Sequence, residues 1–144
     1  LIEASLTVTK LSSIYETEAV GMIEAPPFLN IVAEVQTGLI TPTQMLARML
    51  RIEYLLGRKD KSQNLPRTID LDLLIYGDLK IETPFLTLPH PRLHLRNFVL
   101  VPLNEISPQL VHPVLRKNIC ELCEHSSDMS KVVRWNPIDL NGHI

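Results

Sequence analysis

The chain has 144 residues, of which 45% are hydrophobic and 21% charged, with a formal net charge of -2. That length suits one domain with a sizeable core, the composition is unlike that of a disordered chain, and so small a charge gives no general attraction to nucleic acid or anionic lipid. No apolar run approaches the roughly 20 residues that span a bilayer, and a cytoplasmic protein is the expectation.

Ser5 to Tyr15 reads as one long strand, with Leu6, Val8, Leu11 and Ile14 among Thr and Ser in a run whose alternation slips midway, as a bulge makes it do. Glu18 to Pro27, holding Gly21 and Pro26-Pro27, breaks the pattern as a loop. Phe28 to Thr37 alternates again, predicting a second strand and a hairpin with a long connection. Thr41-Pro42 supplies a cap and a first-turn proline, and Leu46, Met49, Leu50 and Tyr54 follow at helical spacing, predicting a helix that ends at Gly57. Arg58 to Pro66 is polar and basic without periodicity. It reads as a loop, either a solvated connector or a phosphate clamp, since arginine forks match phosphate oxygens.

Arg67 to Tyr76 is expected to be an apolar strand carrying two carboxylates on alternate residues. A period of two puts Asp70 and Asp72 on one face and Ile69, Leu71 and Leu73 on the other. Neighbouring anions raise each other's pKa unless a cation lies between them, and magnesium is the usual cation of phosphate enzymes. On a bare edge strand the same pair would simply face water. Beyond Gly77-Asp78, Leu79 to Glu82 is a short strand or turn, and Leu86 to Phe98 gathers His90, Arg92, His94 and Arg96. His90 and His94 have the spacing of metal ligands on a helix, but Pro91 interrupts it, so surface histidines or one bonded to phosphate are the better reading. Arg92 and Arg96 would share a helical face and add a second basic cluster.

Phe98 to Ile106 reads as an apolar helix with Pro102 near its start, Leu110 to His112 as extended, Asn118 to Glu124 as a short helix and Val132 to Trp135 as a final strand. Cys120 and Cys123 form a lone Cys-x-x-Cys, half the ligand set of a structural zinc site. They are expected to be half-buried small hydrophobes.

Three runs carry a resemblance: Pro66-Arg67-Thr68-Ile69-Asp70-Leu71-Asp72-Leu73-Leu74, then Leu88-Pro89-His90-Pro91-Arg92, then Arg96-Asn97-Phe98-Val99-Leu100-Val101-Pro102-Leu103. With Ser12 to Thr17 and Phe28-Leu29-Asn30, they are similar to the 6-hydroxymethyl-7,8-dihydropterin pyrophosphokinases of folate biosynthesis. The resemblance implies an α+β, ferredoxin-like sandwich, an antiparallel sheet with helices packed on it. It also implies transfer of pyrophosphate from ATP to the pterin hydroxymethyl group, with two magnesium ions held by Asp70 and Asp72. Arg67, Arg58, His90 and Arg96 would bind the triphosphate, Thr87 the nucleotide, and Glu53 corresponds to a nucleotide-side glutamate. Thr17, Val20, Phe28, Asn30 and Phe98 would form the pterin pocket, Asn30 offering an amide and the two phenylalanines their ring faces.

Some positions depart from the family. The Arg58 loop is shorter and lacks a second arginine, Lys59 and Lys61 standing nearby; Leu65 replaces a glycine and Phe28 a tyrosine. Members open with a strand ending in Gly-Ser-Asn and a helix, so the 144 residues are expected to be a single pyrophosphokinase domain whose first strand and helix lie upstream of Leu1. Two alternatives stay open: a ferredoxin-like domain that binds a metabolite without chemistry, and a kinase or nucleotidyltransferase using the same Asp-x-Asp.

Overall fold

The computed structural model describes residues 6–18, 27–58 and 69–136. The first hairpin is built from two broken strands. β1 (Leu6–Leu11) pairs antiparallel with β4 (Ala33–Thr37), and β2 (Tyr15–Glu18) pairs with β3 (Phe28–Asn30) on one side and β7 (Lys131–Arg134) on the other. The midway slip is present, because the register shifts between Val8 and Lys10.

A second irregularity cuts each expected long strand in two. Ser12 N–H donates to the Val32 carbonyl at 2.9 Å, and Tyr15 pairs with Asn30, so Ser13 and Ile14 together face the single residue Ile31. That two-against-one arrangement is a bulge, and it bends the ladder between β1 and β2. Ser12 Oγ helps to seal it by accepting the Val32 N–H at 2.9 Å.

Helix α1 (Pro42–Glu53) begins as expected. Thr41 accepts the Gln44 N–H at its N-cap, and the Gln44 side chain returns to the Thr41 N–H, a complete capping box. Its end differs from the expectation. Gly57 does not close the helix; the last turn widens into a π-helical segment at Tyr54–Arg58 that contains it.

The Asp-x-Asp segment departs most from a sheet. Residues 69–76 form no β-ladder, for among the described residues no neighbouring strand offers its backbone. The side-chain alternation survives: Asp70 and Asp72 are exposed, Leu71 and Leu73 half-buried, and Leu74 and Ile75 pack on the core. Gly77, at φ +59°, takes the backbone around a tight turn in which Leu79 N–H reaches the Tyr76 carbonyl. β5 (Ile81–Glu82) and β6 (Thr87–Leu88) then form a small antiparallel ribbon, followed by the cis Leu88-Pro89 bond and a 3-10 turn at Leu93–Leu95. Arg92 and Arg96 flank that turn, not one helical face.

Helix α2 (Asn97–Ile106) carries Pro102 in its interior, not near its start, and α3 (Ile119–Glu124) has its own capping box through Asn118 and Glu121. Val32, Leu93, Val99, Leu100, Leu103 and Ile119 are the buried core, and Cys123 packs against it. Both cysteines are free thiols; burial pushes Cys123 up from its ordinary value, so it behaves as the small hydrophobe expected. The architecture is α+β: antiparallel sheets with helices packed on them. Among the described residues, no helix is long and apolar enough to cross a membrane.

Candidate active site

The Asp-x-Asp segment is held from beneath. Glu53, in the last turn of α1 and only 5% exposed, accepts the Leu71 N–H with its carboxylate. Leu71 lies between the two aspartates, so this bond fixes the backbone from which both project. On the other side the Leu74 carbonyl accepts the His90 N–H at 2.8 Å, tying the segment to the turn after Pro89.

An open groove of about 280 Å³ results, lined by Asp72, Leu71 and Leu73 on one wall, Thr83 to Thr87 on another, and His90. Thr87 sits in β6, half-buried. The His90 ring is oriented by its neighbour: a backbone N–H can only donate, so the bond from Arg92 N–H to His90 Nδ1 at 3.1 Å leaves Nε2 to carry the ring proton. Burial pulls the His90 pKa below its ordinary value, Asp72 opposes this, and Arg96 and Arg92 reinforce it. The ring is thus a neutral donor at neutral pH. His90 and His94 form no metal cluster, and no group of three or more His, Cys, Asp or Glu side chains gathers among the described residues.

Arg96, whose charge acts on His90, belongs to an aromatic patch. Its guanidinium lies 5.5 Å from the centroid of the Phe98 ring, a cation-π contact. Phe98 meets Phe28 edge to face, centroids 5.3 Å apart and planes at 85°, so these rings do not stand as parallel jaws. Asn30, on β3 beside Phe28, donates from Nδ2 to the Phe98 carbonyl at 2.6 Å. Thr17 is buried, with its Oγ1 3.5 Å from Asn30 Oδ1.

The structure therefore brings together Asp72, Thr87 and His90 around the groove, and Arg96, Phe98, Phe28, Asn30 and Thr17 in a patch of their own. Val20 and Arg67 lie outside the described residues, as does the side chain of Arg58. Three contributors escaped the reading of motifs. Phe85 and Thr83 wall the groove, and Glu105 anchors the bend between β1 and β2 by accepting from Ser13 N–H and Oγ and from Tyr15 Oη at 2.8 to 2.9 Å. No local signal marks Glu105, whose partners lie some 90 positions away.

Comparison with known proteins decides the family. Residues 1–108 match the model of the 7,8-dihydro-6-hydroxymethylpterin-pyrophosphokinase family. The chain belongs to this family. It is 39% identical over 120 residues to a 2-amino-4-hydroxy-6-hydroxymethyldihydropteridine pyrophosphokinase of Aquifex aeolicus, covering 83% of this chain and 74% of that protein. The enzyme of the same name from Bacillus subtilis is 47% identical over 107 residues, 74% of this chain and 64% of that protein. A folic acid synthesis protein of Pneumocystis carinii is 42% identical over 123 residues, 85% of this chain but 16% of that much longer protein. The chain thus spans about two thirds of the length of these bacterial pyrophosphokinases.

Proposed function

We propose that this pyrophosphokinase-family chain transfers pyrophosphate from ATP to the hydroxymethyl group of 6-hydroxymethyl-7,8-dihydropterin, in a cytoplasmic setting and on a ferredoxin-like sandwich to which the antiparallel sheets and packed helices belong. The observation that carries this reading is a groove lined by Asp72 and His90, together with a patch in which Arg96 lies over the Phe98 ring and the Phe98 carbonyl holds the Asn30 amide; the charges of Asp72 and Arg96 both act on His90. A phosphate donor and a flat heterocycle would lie on either side of one arginine.

In the reaction the hydroxymethyl oxygen bonds to the β-phosphorus and gives up its proton to solvent, the bond from that phosphorus to the α,β-bridging oxygen breaks, and AMP leaves with the bridging oxygen. Phosphoryl transfer of this kind needs positioning and charge neutralisation more than covalent help. Asp70 and Asp72 would hold magnesium: both carboxylates are exposed on one extended segment, and a hard all-oxygen donor set fits that ion. When bound, such ions neutralise charge on the triphosphate. His90 donates from Nε2, and Arg96 offers the charged fork that suits phosphate; Arg58, Arg67, Glu53 and Thr87 complete the nucleotide side. Thr17, Val20, Phe28, Asn30 and Phe98 receive the pterin.

Product analysis tests the proposal. Incubated with ATP, magnesium and the hydroxymethyl-dihydropterin, the protein should form AMP and the pterin diphosphate in equal amounts. ADP in place of AMP would make it a simple kinase, and pterin binding without nucleotide turnover would make it a binding domain.

A further inference from the structure

Pro102 stands inside α2, where a proline is costly, and its side chain is fully buried. In an α-helix the N–H of each residue bonds the carbonyl four residues earlier. Proline has no N–H, so the carbonyl of Phe98 loses its helical donor, and the pyrrolidine ring also crowds that carbonyl. A carbonyl partly withdrawn from water still needs a partner. Here it is the Nδ2 of Asn30, 68 positions away in sequence, at 2.6 Å.

We infer that Pro102 is a positioning residue: by withholding an N–H from the Phe98 carbonyl, it turns that carbonyl into the anchor that orients the Asn30 amide toward substrate. A carbonyl only accepts, so the group facing it must be the NH2 and the amide cannot flip. One N–H is thereby committed to the protein. The second N–H and Oδ1 remain as an adjacent donor and acceptor, with Thr17 Oγ1 on the Oδ1 side. That pair complements a heterocycle edge carrying an acceptor next to a donor, as in a lactam or an aminopyrimidinone, and rejects one with two acceptors. The same anchor belongs to the residue whose ring touches both Phe28 and Arg96.

The inference rests on the pterin reading for its kinetic consequences, but the anchored amide is observable without them. In Pro102→Ala the helix regains an N–H, the Phe98 carbonyl turns back to its axis, and Asn30 is released. The KM for the pterin should rise roughly three- to tenfold, as for one hydrogen bond, with the KM for ATP unchanged. In an Asn30→Ala background the same change should have no further effect on the pterin KM, which a general loosening of the helix would not reproduce. In 15N-labelled wild-type protein without ligands, the Asn30 side-chain amide should exchange with solvent more slowly than exposed asparagine amides. Equal exchange would overturn the anchor even if Pro102→Ala failed to fold. A pterin KM unmoved in Pro102→Ala, or moved equally in both backgrounds, would overturn the positioning role. Slow exchange in a protein that makes no AMP would instead keep the anchor and remove the pterin reading.

Discussion

Replacing Glu105 of α2 with alanine should destabilise the fold measurably. Its carboxylate accepts three hydrogen bonds, from Ser13 N–H at 2.8 Å, Ser13 Oγ at 2.8 Å and Tyr15 Oη at 2.9 Å, and so pins the bend between β1 and β2 to the helix. Each is worth about 1 kcal/mol net. The fourth contact, to Arg134 at 3.3 Å, adds little because that arginine side chain is 67% exposed. The expected loss is therefore about 3 kcal/mol, or on the order of 10 °C in Tm for a chain of this size. Burial pushes the Glu105 carboxyl up, but the bonds from Ser13 and Tyr15 and the charge of Arg134 outweigh it and hold the pKa below the ordinary value. A folded pKa below the unfolded one means that this stability is whole above the unfolded carboxylate pKa and is lost as pH falls through the folded one. Urea unfolding of wild type and Glu105→Ala should thus differ most near pH 7 and converge in acid. A difference under about 0.5 kcal/mol at pH 7, or one that widens in acid, would refute the reasoning.

Asp72→Asn keeps size and shape but removes a charge from the groove, so turnover should drop by roughly a hundredfold or more, while Tm stays within a few degrees because the side chain is exposed. Near-normal turnover with unchanged magnesium dependence would exclude Asp72 as a ligand. His90 and His112 both have pKa values pulled below the ordinary imidazole value, chiefly by burial, so stability should be flat above about pH 7 and fall as pH drops below the unfolded value of about 6.5. His112→Asn, which keeps an acceptor for the Val114 and Leu115 N–H groups, should flatten that slope; an unchanged slope in this variant would exclude His112 as a contributor.

Much of the fold was legible because its signals are local. The cap and first-turn proline at Thr41-Pro42 and the slip midway through the first strand, between Val8 and Lys10, each lie within a few residues of one another. The bulge at Ser13 and Ile14 was not, since an extra residue shows only against its partner strand, and that partner is fixed by Val32 and Asn30 far along the chain. The segment from Ile69 to Tyr76 shows the limit of periodicity: alternation reports which side chains face solvent, and it did so correctly for Asp70 and Asp72, but a ladder also needs a second backbone. The π-helical turn likewise leaves no trace in spacing, and Gly57 is as good a helix stop in sequence as it is a π-turn residue in the fold. The bond from Asn30 to a backbone carbonyl had one hint only in the sequence, a proline within an apolar helix.

The start of α2 explains how one short stretch can serve both sides of the site. Arg96 occupies the N-cap and makes no capping bond, and a cation there opposes the positive end of the helix dipole. Asp128, 31 positions after Asn97, caps the helix instead, its Oδ2 accepting the Asn97 N–H at 2.7 Å while Asn97 Nδ2 donates to the Asp128 carbonyl at 2.9 Å. Burial pushes the Asp128 carboxyl up, but the N–H groups of Asn97 and Ser130 and the Ser130 hydroxyl bring it below its ordinary value, so it stays an anion at the helix end where an anion is stabilising. With the cap supplied from elsewhere, the N-cap position need not hold serine, threonine or aspartate. It can hold an arginine that lies over the Phe98 ring and whose charge acts on His90, one residue before the asparagine that the cap requires and two before the carbonyl that Pro102 leaves open. Asp128 lies beyond the residues matched by the family model, so the part of the chain that carries no motif supplies the restraint on which the motif residues depend.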